Sequence, residues 1–399
     1  MDYLSLLSER TRRISASAIR EILKAASRPG MISLAGGIPA PESFPIEIIG
    51  KLSEKIIQTY GPSAFQYDLT EGFPPLRKVL CTHLSSKDIF VTPDEILITS
   101  GSQGALDAIG KILISPGDVV AVEAPTYLGA IQAFNPYEPH YINLETDDDG
   151  LIPSSLEKAL SSHRVKFIYL VPTFQNPTGR TISLERRREI ASIIIRHNVL
   201  LVEDDPYGDL RYRGKAIPSI KTMAPDHVIY LSTLSKVFAP GLRIGFCLAP
   251  EVIQKWLVIA KQGVDLHTST FNQALAAEYI AGNYLEKTVP KIIRIYQPRL
   301  DKMLDSLDRY FPEEFYWSRP DGGMFIWAEG PEGMDMQSIY QESLRQNVTF
   351  VPGRYFYTAK GQGMATMRLN FTMAGEAAID DSIKTIAAIL KKRIPGKAA

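Results

Sequence analysis

The sequence predicts an α/β protein with a mostly parallel seven-stranded sheet flanked by helices, joined to a smaller α+β domain. Three observations predict this fold. The 399 residues exceed the length at which one hydrophobic core usually stops growing, so a large and a small domain are expected. Seven short apolar runs lie between residues 95 and 249, and helical patterns separate several of them. The order of patterns changes near residue 290.

The large domain is expected at residues 49–290, where apolar runs and helical patterns alternate. Residues 1–48 do not fit this alternation, and we expect them to pack on the small domain. Helical patterns occupy residues 104–113 and 184–196. The expected strands are E-I-L-I-T (95–99), V-V-A-V-E (119–123), H-Y-I-N-L (140–144), K-F-I-Y-L-V (166–171), V-L-L-V-E (199–203), V-I-Y-L-S (228–232) and I-G-F-C-L-A (244–249).

The small domain is expected at residues 291–399. A long helical pattern comes first, and strand-like segments such as V-T-F-V-P-G (348–353) and T-M-R-L-N-F (366–371) follow among further helices. A few antiparallel strands packed with helices are typical of an α+β domain.

The composition narrows the choice of partners and compartment. Forty-four basic residues balance 44 acidic ones, so neither nucleic acid nor a membrane is an expected partner, and a small molecule fits better. The two cysteines lack C-x-x-C spacing and the charged N-terminus lacks the apolar core of a signal peptide, which predicts a reduced, cytoplasmic protein. The six histidines never take H-x-x-x-H spacing, so no metal is expected.

Polar or aromatic residues follow five of the expected strands. In an open parallel sheet, ligands bind outside the carboxyl ends of the strands, so we expect one site there. The last of these segments places Lys236 among small hydroxyl residues. The five segments are S-G-S-Q-G-A-L (100–106), A-P-T-Y (124–127), P-T-F-Q-N-P-T-G (172–179), D-D-P-Y (204–207) and T-L-S-K (233–236).

The segment S-G-S-Q-G-A-L joins a strand to a helix through small residues. Free backbone N–H groups and the helix dipole at such a junction suit a phosphate near Gly101, Ser102 and Gln103, although most glycine turns at such junctions bind nothing. Arg243 would add a planar, bidentate phosphate contact, or it forms a surface salt bridge.

Four further side chains suit a flat, ring-containing ligand, and each also has a plainer interpretation. Asp204 would hold a ring nitrogen protonated, or it is a solvated loop acid. Tyr207 would place its hydroxyl near the same ring, or it is an ordinary half-buried tyrosine. Asn176 would give its amide to a phenolic oxygen, or Q-N-P-T-G is only a turn. Tyr127 would stack on the ring, or it belongs to the core.

The ordered set of motifs resembles the pyridoxal-5'-phosphate aminotransferases of fold type I, class I/II. The set is S-G-S-Q-G-A-L, N-P-T-G, D-D-P-Y, S-K followed by G-L-R-I-G, and M-R-L-N-F, and it spans most of the chain. The chain is most similar to the group containing 2-aminoadipate and kynurenine aminotransferases, through I-S-L-A-G-G-I-P-A-P-E-S-F-P, Q-Y-D-L-T-E-G and A-K-Q-G-V-D-L-H-T. The resemblance implies transfer of an amino group from an L-amino acid to a 2-oxo acid, with 2-oxoglutarate the expected acceptor.

The resemblance also implies roles around the cofactor. The uncharged amine of Lys236 would bind the cofactor aldehyde and, once displaced by a substrate, would move a proton from the substrate α-carbon. Asp204 would keep the pyridine nitrogen protonated, while Tyr207 and Asn176 would bond the phenolic oxygen. The other residues expected at the cofactor are Gly101, Ser102, Gln103, Thr233, Ser235 and Arg243 around the phosphate, and Tyr127.

At the substrate, the resemblance implies that Arg368 in M-R-L-N-F clamps the α-carboxylate, with Gly37 and Asn176 beside it. The segment S-A-S-A-I-R-E-I-L-K (15–24) resembles the N-terminal helix of the aminoadipate group and carries Ser17 and Arg20 at matching spacing. Arg20 would pair with a distal carboxylate and favour 2-aminoadipate and glutamate, or it is a solvated charge on an amphipathic helix. Aromatic and branched-chain amino acids remain alternative substrates.

The family is dimeric with shared sites, so the resemblance implies a homodimer in which Tyr67 reaches the phosphate bound by the neighbouring subunit. Two other classes share the fold: regulators with a DNA-binding domain ahead of this body, and pyridoxal-phosphate-dependent lyases or decarboxylases. Only about forty residues precede G-I-P-A-P-E-S-F-P, too few for a winged helix domain, and the balanced charge gives no support for DNA binding.

Overall fold

The fold is built around a seven-stranded sheet and a separate four-stranded sheet. The computed structural model describes residues 1–14, 22, 24 and 28–394. The strands in chain order are β1 (Ile32–Ser33), β2 (Ile96–Ser100), β3 (Val119–Glu123), β4 (His140–Leu144), β5 (Thr146–Asp147), β6 (Gly150–Leu151), β7 (Val165–Leu170), β8 (Leu200–Asp205), β9 (Val228–Thr233), β10 (Ile244–Leu248), β11 (Tyr316–Trp317), β12 (Phe325–Glu329), β13 (Val348–Thr349), β14 (Val351–Pro352) and β15 (Thr366–Asn370).

Helices connect these strands and cover the sheets. Most of them lie between consecutive strands of the large sheet or after its last strand. The helices with both ends in the described part of the chain are Ile46–Tyr60, Pro74–Ser85, Gly101–Leu113, Leu128–Phe134, Pro153–Ser162, Leu184–Arg196, Glu251–Asp265, Thr270–Ala281, Tyr284–Tyr310, Met336–Arg345 and Glu376–Lys391.

The large sheet has the strand order β2-β10-β9-β8-β7-β3-β4. Six strands run in one direction, and β10 runs against its neighbours β2 and β9. The strands β2, β3, β7, β8 and β9 therefore end at one edge of the sheet, and β10 begins there. This confirms the predicted fold class, and all seven predicted runs are strands of this sheet, with bounds shifted by at most two residues.

Both faces of the large sheet are buried, which explains why its strands are apolar without alternation. Along β7, Tyr169 faces one hydrophobic core and the adjacent Ile168 faces the other. Helix Gly101–Leu113 contributes to the first core and helix Leu184–Arg196 to the second. The sheet is therefore a central layer between helices.

The four-stranded sheet has the order β11-β12-β15-β14, and its neighbouring strands are all antiparallel. The helices Tyr284–Tyr310 and Glu376–Lys391 pack against each other beside it. The N-terminal segment meets this part of the chain, because β1 pairs with β13 and Asn370 N donates a hydrogen bond to Leu34 O at 2.7 Å. This is the smaller α+β unit that the sequence predicts.

Within the part of the chain that the structure describes, no helix has the length and apolar character needed to cross a lipid bilayer. Cys81 and Cys247 are both free thiols, and Cys247 is buried.

Candidate active site

A cavity of about 300 Å³ opens at the edge where the six parallel strands of the large sheet end. Four of its lining residues were not expected from the sequence, namely Ile38, Val171, Pro206 and Pro240. A larger cleft of about 970 Å³, between Ile89 and helix Glu251–Asp265, contains none of the expected site residues. The expected site residues that line the 300 Å³ cavity are Gly37, Ser102, Gln103, Tyr127, Asn176, Asp204, Tyr207, Thr233, Ser235, Lys236, Arg243 and Arg368.

Lys236 lies in the short turn Leu234–Lys236 that directly follows β9. Its side chain points into the cavity, where Nζ donates a hydrogen bond to Gly37 O at 2.9 Å. Burial, and then the positive charges of Arg368 and Arg243, lower the pKa of the Lys236 amine to about 8. The amine therefore loses its proton far more readily than an exposed lysine, as a nucleophile or base requires.

Asp204, on β8, is the carboxylate at the floor of the cavity and is only 1% exposed. Its Oδ2 accepts a hydrogen bond from the Tyr169 hydroxyl at 2.8 Å, whereas its Oδ1 is buried and has no partner among the described residues. Burial raises the pKa of Asp204 to about 7, although the Tyr169 hydrogen bond opposes the rise. A buried carboxylate oxygen without a partner is costly, so this geometry indicates a missing donor or cation.

Asn176 connects two other functional side chains. Its Nδ2 donates to the Tyr207 hydroxyl at 3.2 Å, and its Oδ1 accepts from Arg368 Nη1 at 2.8 Å. Both groups of the amide are therefore used, which fixes the orientation of the side chain. Burial raises the pKa of Tyr207, so its hydroxyl is neutral and can both donate and accept.

Arg368 comes from β15 of the small sheet and is only 2% exposed. Its Nη2 donates to Ala35 O at 2.7 Å, and its Nε is buried without a partner. The guanidinium lies over the rings of Phe325 and Phe356, 4.2 and 5.0 Å from their centroids. Among the described residues its guanidinium bonds Asn176 and Ala35 O and pairs with no carboxylate, and burial lowers the pKa of Arg368 to about 10. It is a preorganised cation suited to an anionic ligand.

Two glycines let Arg243 approach the helix that begins at Gly101. Gly101 has φ +71°, and a Cβ there would lie 2.5 Å from Arg243 Nη2. A Cβ on Gly245 would lie 2.6 Å from the Gly101 carbonyl carbon. Gly101 N donates to Arg243 O at 3.0 Å, and Arg243 Nη2 donates to Ser100 O at 3.2 Å. The guanidinium thus lies beside the helix N-terminus, where an anion is favoured.

The remaining polar groups complete the wall of the cavity. The hydroxyls of Thr233 and Ser235 are 2.9 Å apart, and both residues are buried. The Tyr127 ring lies against Gly129, where a Cβ would come within 2.4 Å of Tyr127 Cζ. Gln103 Nε2 donates to Gly129 O at 2.9 Å, which joins helix Gly101–Leu113 to helix Leu128–Phe134. Burial raises the pKa of Tyr127 to about 12, so its hydroxyl is neutral.

Two predicted site residues within the described part of the chain, Tyr67 and Gly101, do not line this cavity. Tyr67 is 77% exposed, and its ring contacts His267 at the surface, with centroids 5.7 Å apart. Ser17 and Arg20 lie outside the described residues. Gly101 does not line the cavity itself but carries the turn that leads into it.

Sequence reasoning missed Tyr169, Phe325 and Phe356, which hold Asp204 and Arg368 in place. A signal existed for Tyr169, because a hydroxyl within an otherwise apolar buried strand must find a hydrogen-bond partner. No local signal identifies the two phenylalanines, since only the folding of the small sheet brings them over the arginine.

A lysine after one strand and a buried carboxylate on the neighbouring parallel strand, together with an anion cradle at a helix N-terminus, define a pyridoxal-phosphate enzyme of fold type I. The comparisons with known proteins agree. Residues 31–382 match the family described as aminotransferase class I and II, and the chain belongs to this family. It is therefore a pyridoxal-phosphate-dependent aminotransferase.

Individual relatives match along almost their whole length. The chain is 44% identical to aromatic-amino-acid aminotransferase 1 of Thermococcus litoralis, covering 99% of this chain and 96% of that protein. It is 40% identical to 2-aminoadipate transaminase of Thermus thermophilus, covering 95% of each. The crystal structure of Pyrococcus horikoshii kynurenine aminotransferase, in complex with PMP, superposes with a TM-score of 0.95 at 42% identity, covering 99% of both chains.

The residues present fit pyridoxal phosphate. The unpartnered Oδ1 of Asp204 provides an acceptor for a protonated ring nitrogen, and the lowered pKa of Lys236 suits an amine that binds an aldehyde. The Gly101 turn and Arg243 provide a cradle for a phosphate. These three groups lie around one cavity, as a single molecule with three functional groups requires.

Proposed function

We propose that this aminotransferase moves the amino group of an L-amino acid to 2-oxoglutarate, with 2-aminoadipate and glutamate preferred within a broad range of donors. The observation that carries the transfer chemistry is the shared cavity of Lys236 and Asp204, in which one group has a lowered pKa and the other an unpartnered buried oxygen. The relatives named for 2-aminoadipate, kynurenine and aromatic amino acids support a broad range.

Lys236 is the proposed catalytic residue and Asp204 its electronic partner. When bound, pyridoxal phosphate supplies an aldehyde that links to amines and a protonated ring that accepts electrons. Asp204 Oδ1 holds the proton on the ring nitrogen. Lys236 Nζ would take a proton from the substrate α-carbon and deliver it to the cofactor carbon that carried the aldehyde, which its lowered pKa allows at neutral to mildly alkaline pH. With a 2-oxo acid, the same two groups act in the reverse direction.

Three residues position the substrate and the cofactor: Arg368, Asn176 and Tyr207. Arg368 has a free, buried Nε and no carboxylate partner in the described chain, so it binds the substrate α-carboxylate. Its hydrogen bond to Asn176 at 2.8 Å sets the distance between the substrate and the phenolic oxygen that Asn176 and Tyr207 bind. Gly37, which leaves space in front of Phe325, allows the substrate to approach.

The phosphate is held by the first turn of helix Gly101–Leu113, together with hydroxyl groups and one guanidinium. Tyr127 stacks on the cofactor ring. This placement of the phosphate is supported by the cavity, which all of the phosphate-binding candidates except Gly101 share with Lys236. The candidates are Gly101, Ser102, Gln103, Thr233, Ser235 and Arg243.

The first experiment is an absorption spectrum of the purified protein before and after addition of 2-aminoadipate, leucine or phenylalanine in separate cuvettes. Transamination converts the band of the lysine-bound cofactor to that of the aminated cofactor, and the extent with each donor ranks them. A band that persists with every amino acid would exclude these donors and favour a lyase or a regulatory role. A preference for phenylalanine or leucine would favour an aromatic or branched-chain aminotransferase.

Arg20 is the proposed selector for acidic donors. Arg20→Ala is expected to lower kcat/KM for 2-aminoadipate about 10-fold or more and to leave leucine unchanged, because only the first has a distal carboxylate. Arg12→Ala is a matched control, since Arg12 is a highly exposed N-terminal arginine that pairs with Glu9. Equal losses for leucine and 2-aminoadipate would contradict the role of Arg20.

We propose a homodimer with shared active sites. Tyr67 is 77% exposed and lies outside the cavity of its own chain, next to the exposed Phe65 and Leu69. An exposed apolar patch of this kind suits a second copy of the chain. Analytical ultracentrifugation of the active protein tests this proposal, and a fully active monomer would overturn it.

We also propose that residues 49–290 and 291–399 form the large and small domains, with residues 1–48 packed on the latter. In the described part of the chain, the seven-stranded and four-stranded sheets share no strand. The proposed boundary coincides with Pro290 inside helix Tyr284–Tyr310, where a helix lacks one backbone hydrogen bond. A cytoplasmic location stays a prediction.

A further inference from the structure

Ser100 occupies the N-cap position of helix Gly101–Leu113 but does not cap it. An N-cap serine normally accepts a hydrogen bond from the second or third backbone N–H of the helix, here that of Ser102 or Gln103. The Ser100 hydroxyl instead donates to Asp265 Oδ2 at 2.6 Å. The first turn of this helix therefore keeps its backbone donors free of the side chain that would usually satisfy them.

Asp265 is in turn held by Lys261, one helical turn earlier. Lys261 Nζ donates to Asp265 Oδ1 at 2.6 Å and to Thr268 Oγ1 at 3.1 Å. The Lys261 side chain is 6% exposed and the Asp265 side chain 29%, so the lysine is shielded from water while the carboxylate is partly exposed, and the two charges cancel. Both residues belong to A-K-Q-G-V-D-L-H-T, whose letters carry part of the family resemblance but have no role in the chemistry above.

We propose that Lys261 and Asp265 are positioning residues for the cofactor phosphate, which act by keeping the Ser100 hydroxyl away from the helix N-terminus. Lys261 fixes the carboxylate, the carboxylate binds the hydroxyl, and the N–H groups of Ser102 and Gln103 stay available to a phosphate. Without the pair, the hydroxyl turns to cap the helix, and a phosphate must displace it. This inference rests on the proposed placement of the phosphate at this turn.

The experiment compares two ligands that differ only in the phosphate. Pyridoxal 5'-phosphate and pyridoxal both have the aldehyde that Lys236 binds, so the ratio of their dissociation constants isolates the phosphate contribution. Both are titrated by absorbance into protein stripped of cofactor, for the wild type, Ser100→Ala, the double variant Lys261→Met/Asp265→Ala, and the triple variant that combines all three. The double variant removes one charge of each sign, so the net charge of the chain is unchanged.

The expected result is a loss that Ser100→Ala reverses. The double variant binds pyridoxal phosphate about 5-fold more weakly, which corresponds to about 1 kcal/mol, the usual contribution of an N-cap hydrogen bond, and binds pyridoxal normally. The triple variant returns to within about 2-fold of the wild type, because alanine has no hydroxyl to cap the helix. Ser100→Ala alone changes the ratio little. A merely structural role of the pair would not give this rescue.

Three outcomes would overturn the proposal. These are an equal loss for pyridoxal and its phosphate, a further loss in the triple variant, and a loss with Ser100→Ala alone, which would mean that the hydroxyl binds the phosphate directly. Lys55→Met/Glu278→Ala is the matched control, because this pair has the same 2.6 Å separation, joins two helices and does not line the cavity. It should leave the ratio unchanged.

Two measurements keep the result interpretable. If the double variant does not fold, as judged by circular dichroism, Asp265→Asn replaces it, with a smaller loss that Ser100→Ala again reverses, because an amide oxygen is a weaker acceptor than a carboxylate. If wild-type protein shows no preference for pyridoxal phosphate over pyridoxal, the proposed phosphate site itself is wrong. That result is distinct from a failure of the rescue.

Discussion

Arg368 Nη1 lies 2.8 Å from Asn176 Oδ1, although the two residues are 192 positions apart in the sequence. Arg368 comes from the small sheet, and Asn176 follows β7 of the large sheet. The contact joins the cation proposed for the substrate carboxylate to the amide proposed for the cofactor. The small sheet therefore contributes directly to the geometry of the active site.

Arg368→Lys is expected to raise KM for the amino acid about 100-fold while the band of the lysine-bound cofactor is retained. A lysine amine cannot form the two parallel hydrogen bonds to a carboxylate, nor bond both Asn176 and Ala35 O in the present geometry. Steady-state kinetics and the absorption spectrum measure the two effects. Arg393→Lys, at an exposed ion pair, is the control and should behave as wild type. A variant with an unchanged KM would show that another group binds the carboxylate.

Asp204→Asn is expected to abolish transamination and to stabilise the cofactor-free protein at alkaline pH. The folded-state pKa of Asp204, about 7, exceeds its ordinary value of 3.8. Between these values the folded protein keeps a proton that the unfolded chain has lost, so stability falls as pH rises through this window. Above pH 7 the buried carboxylate is charged, and a neutral amide avoids that cost, which for a pKa raised from 3.8 to about 7 is on the order of 4 kcal/mol.

Thermal unfolding of cofactor-free wild type and Asp204→Asn at pH 5 and pH 8 measures this difference. The melting temperature of the variant relative to the wild type should be higher at pH 8 than at pH 5. An equal difference at the two pH values would mean that Asp204 is ionised and well solvated in the folded protein, and the opposite trend would mean that its pKa is lowered.

The rate at which cofactor-free protein binds pyridoxal phosphate is expected to rise with pH up to about 8 and then to level off. The uncharged amine of Lys236 is the reactive form, and its pKa is about 8. Below that value, each pH unit reduces the uncharged fraction, and hence the rate, about 10-fold. Stopped-flow absorbance between pH 6 and pH 10 measures the profile. A midpoint near 10 would indicate an unperturbed lysine.

Chains with Lys236→Ala and chains with Tyr67→Ala are expected to complement each other when mixed. In a homodimer with shared sites, a mixed dimer has one site with an intact Lys236 from one chain and an intact Tyr67 from the other. Activity after subunit exchange should exceed the sum of the two separate preparations. A mixture of Lys236→Ala with Arg368→Ala chains is the control. Both residues line the same cavity of one chain, so no mixed dimer of these chains has an intact site.

In the control mixture, one site of the mixed dimer lacks Lys236 and the other lacks Arg368, because both residues serve the cavity of their own chain. No gain in activity is therefore expected for it. A gain in the control mixture, or none in the Tyr67 mixture, would contradict the proposed sharing of Tyr67 across the dimer.

Local sequence patterns are enough to locate the strands of the large sheet and the segments that follow them. Apolar runs, glycine turns and the polar residues after each run are local features, and parallel strands bring their carboxyl ends to one edge whatever the strand order. This is why nine of the twelve predicted residues that line the cavity lie together, whereas Arg243 precedes β10, Gly37 belongs to the N-terminal segment and Arg368 to the small sheet. The A-K-Q-G-V-D-L-H-T segment supports the family resemblance, but its sequence does not predict that Asp265 accepts a hydrogen bond from Ser100.

The tertiary structure alone decided which of these residues touch and what supports them. Tyr169 reaches Asp204 because β7 and β8 are neighbours in the sheet, an order that the runs do not specify. Arg368 is held by Phe325 because β12 pairs with β15 in the small sheet. Such contacts depend on how distant strands pair and pack. The free energy of that packing comes from the whole core, so no single motif determines it.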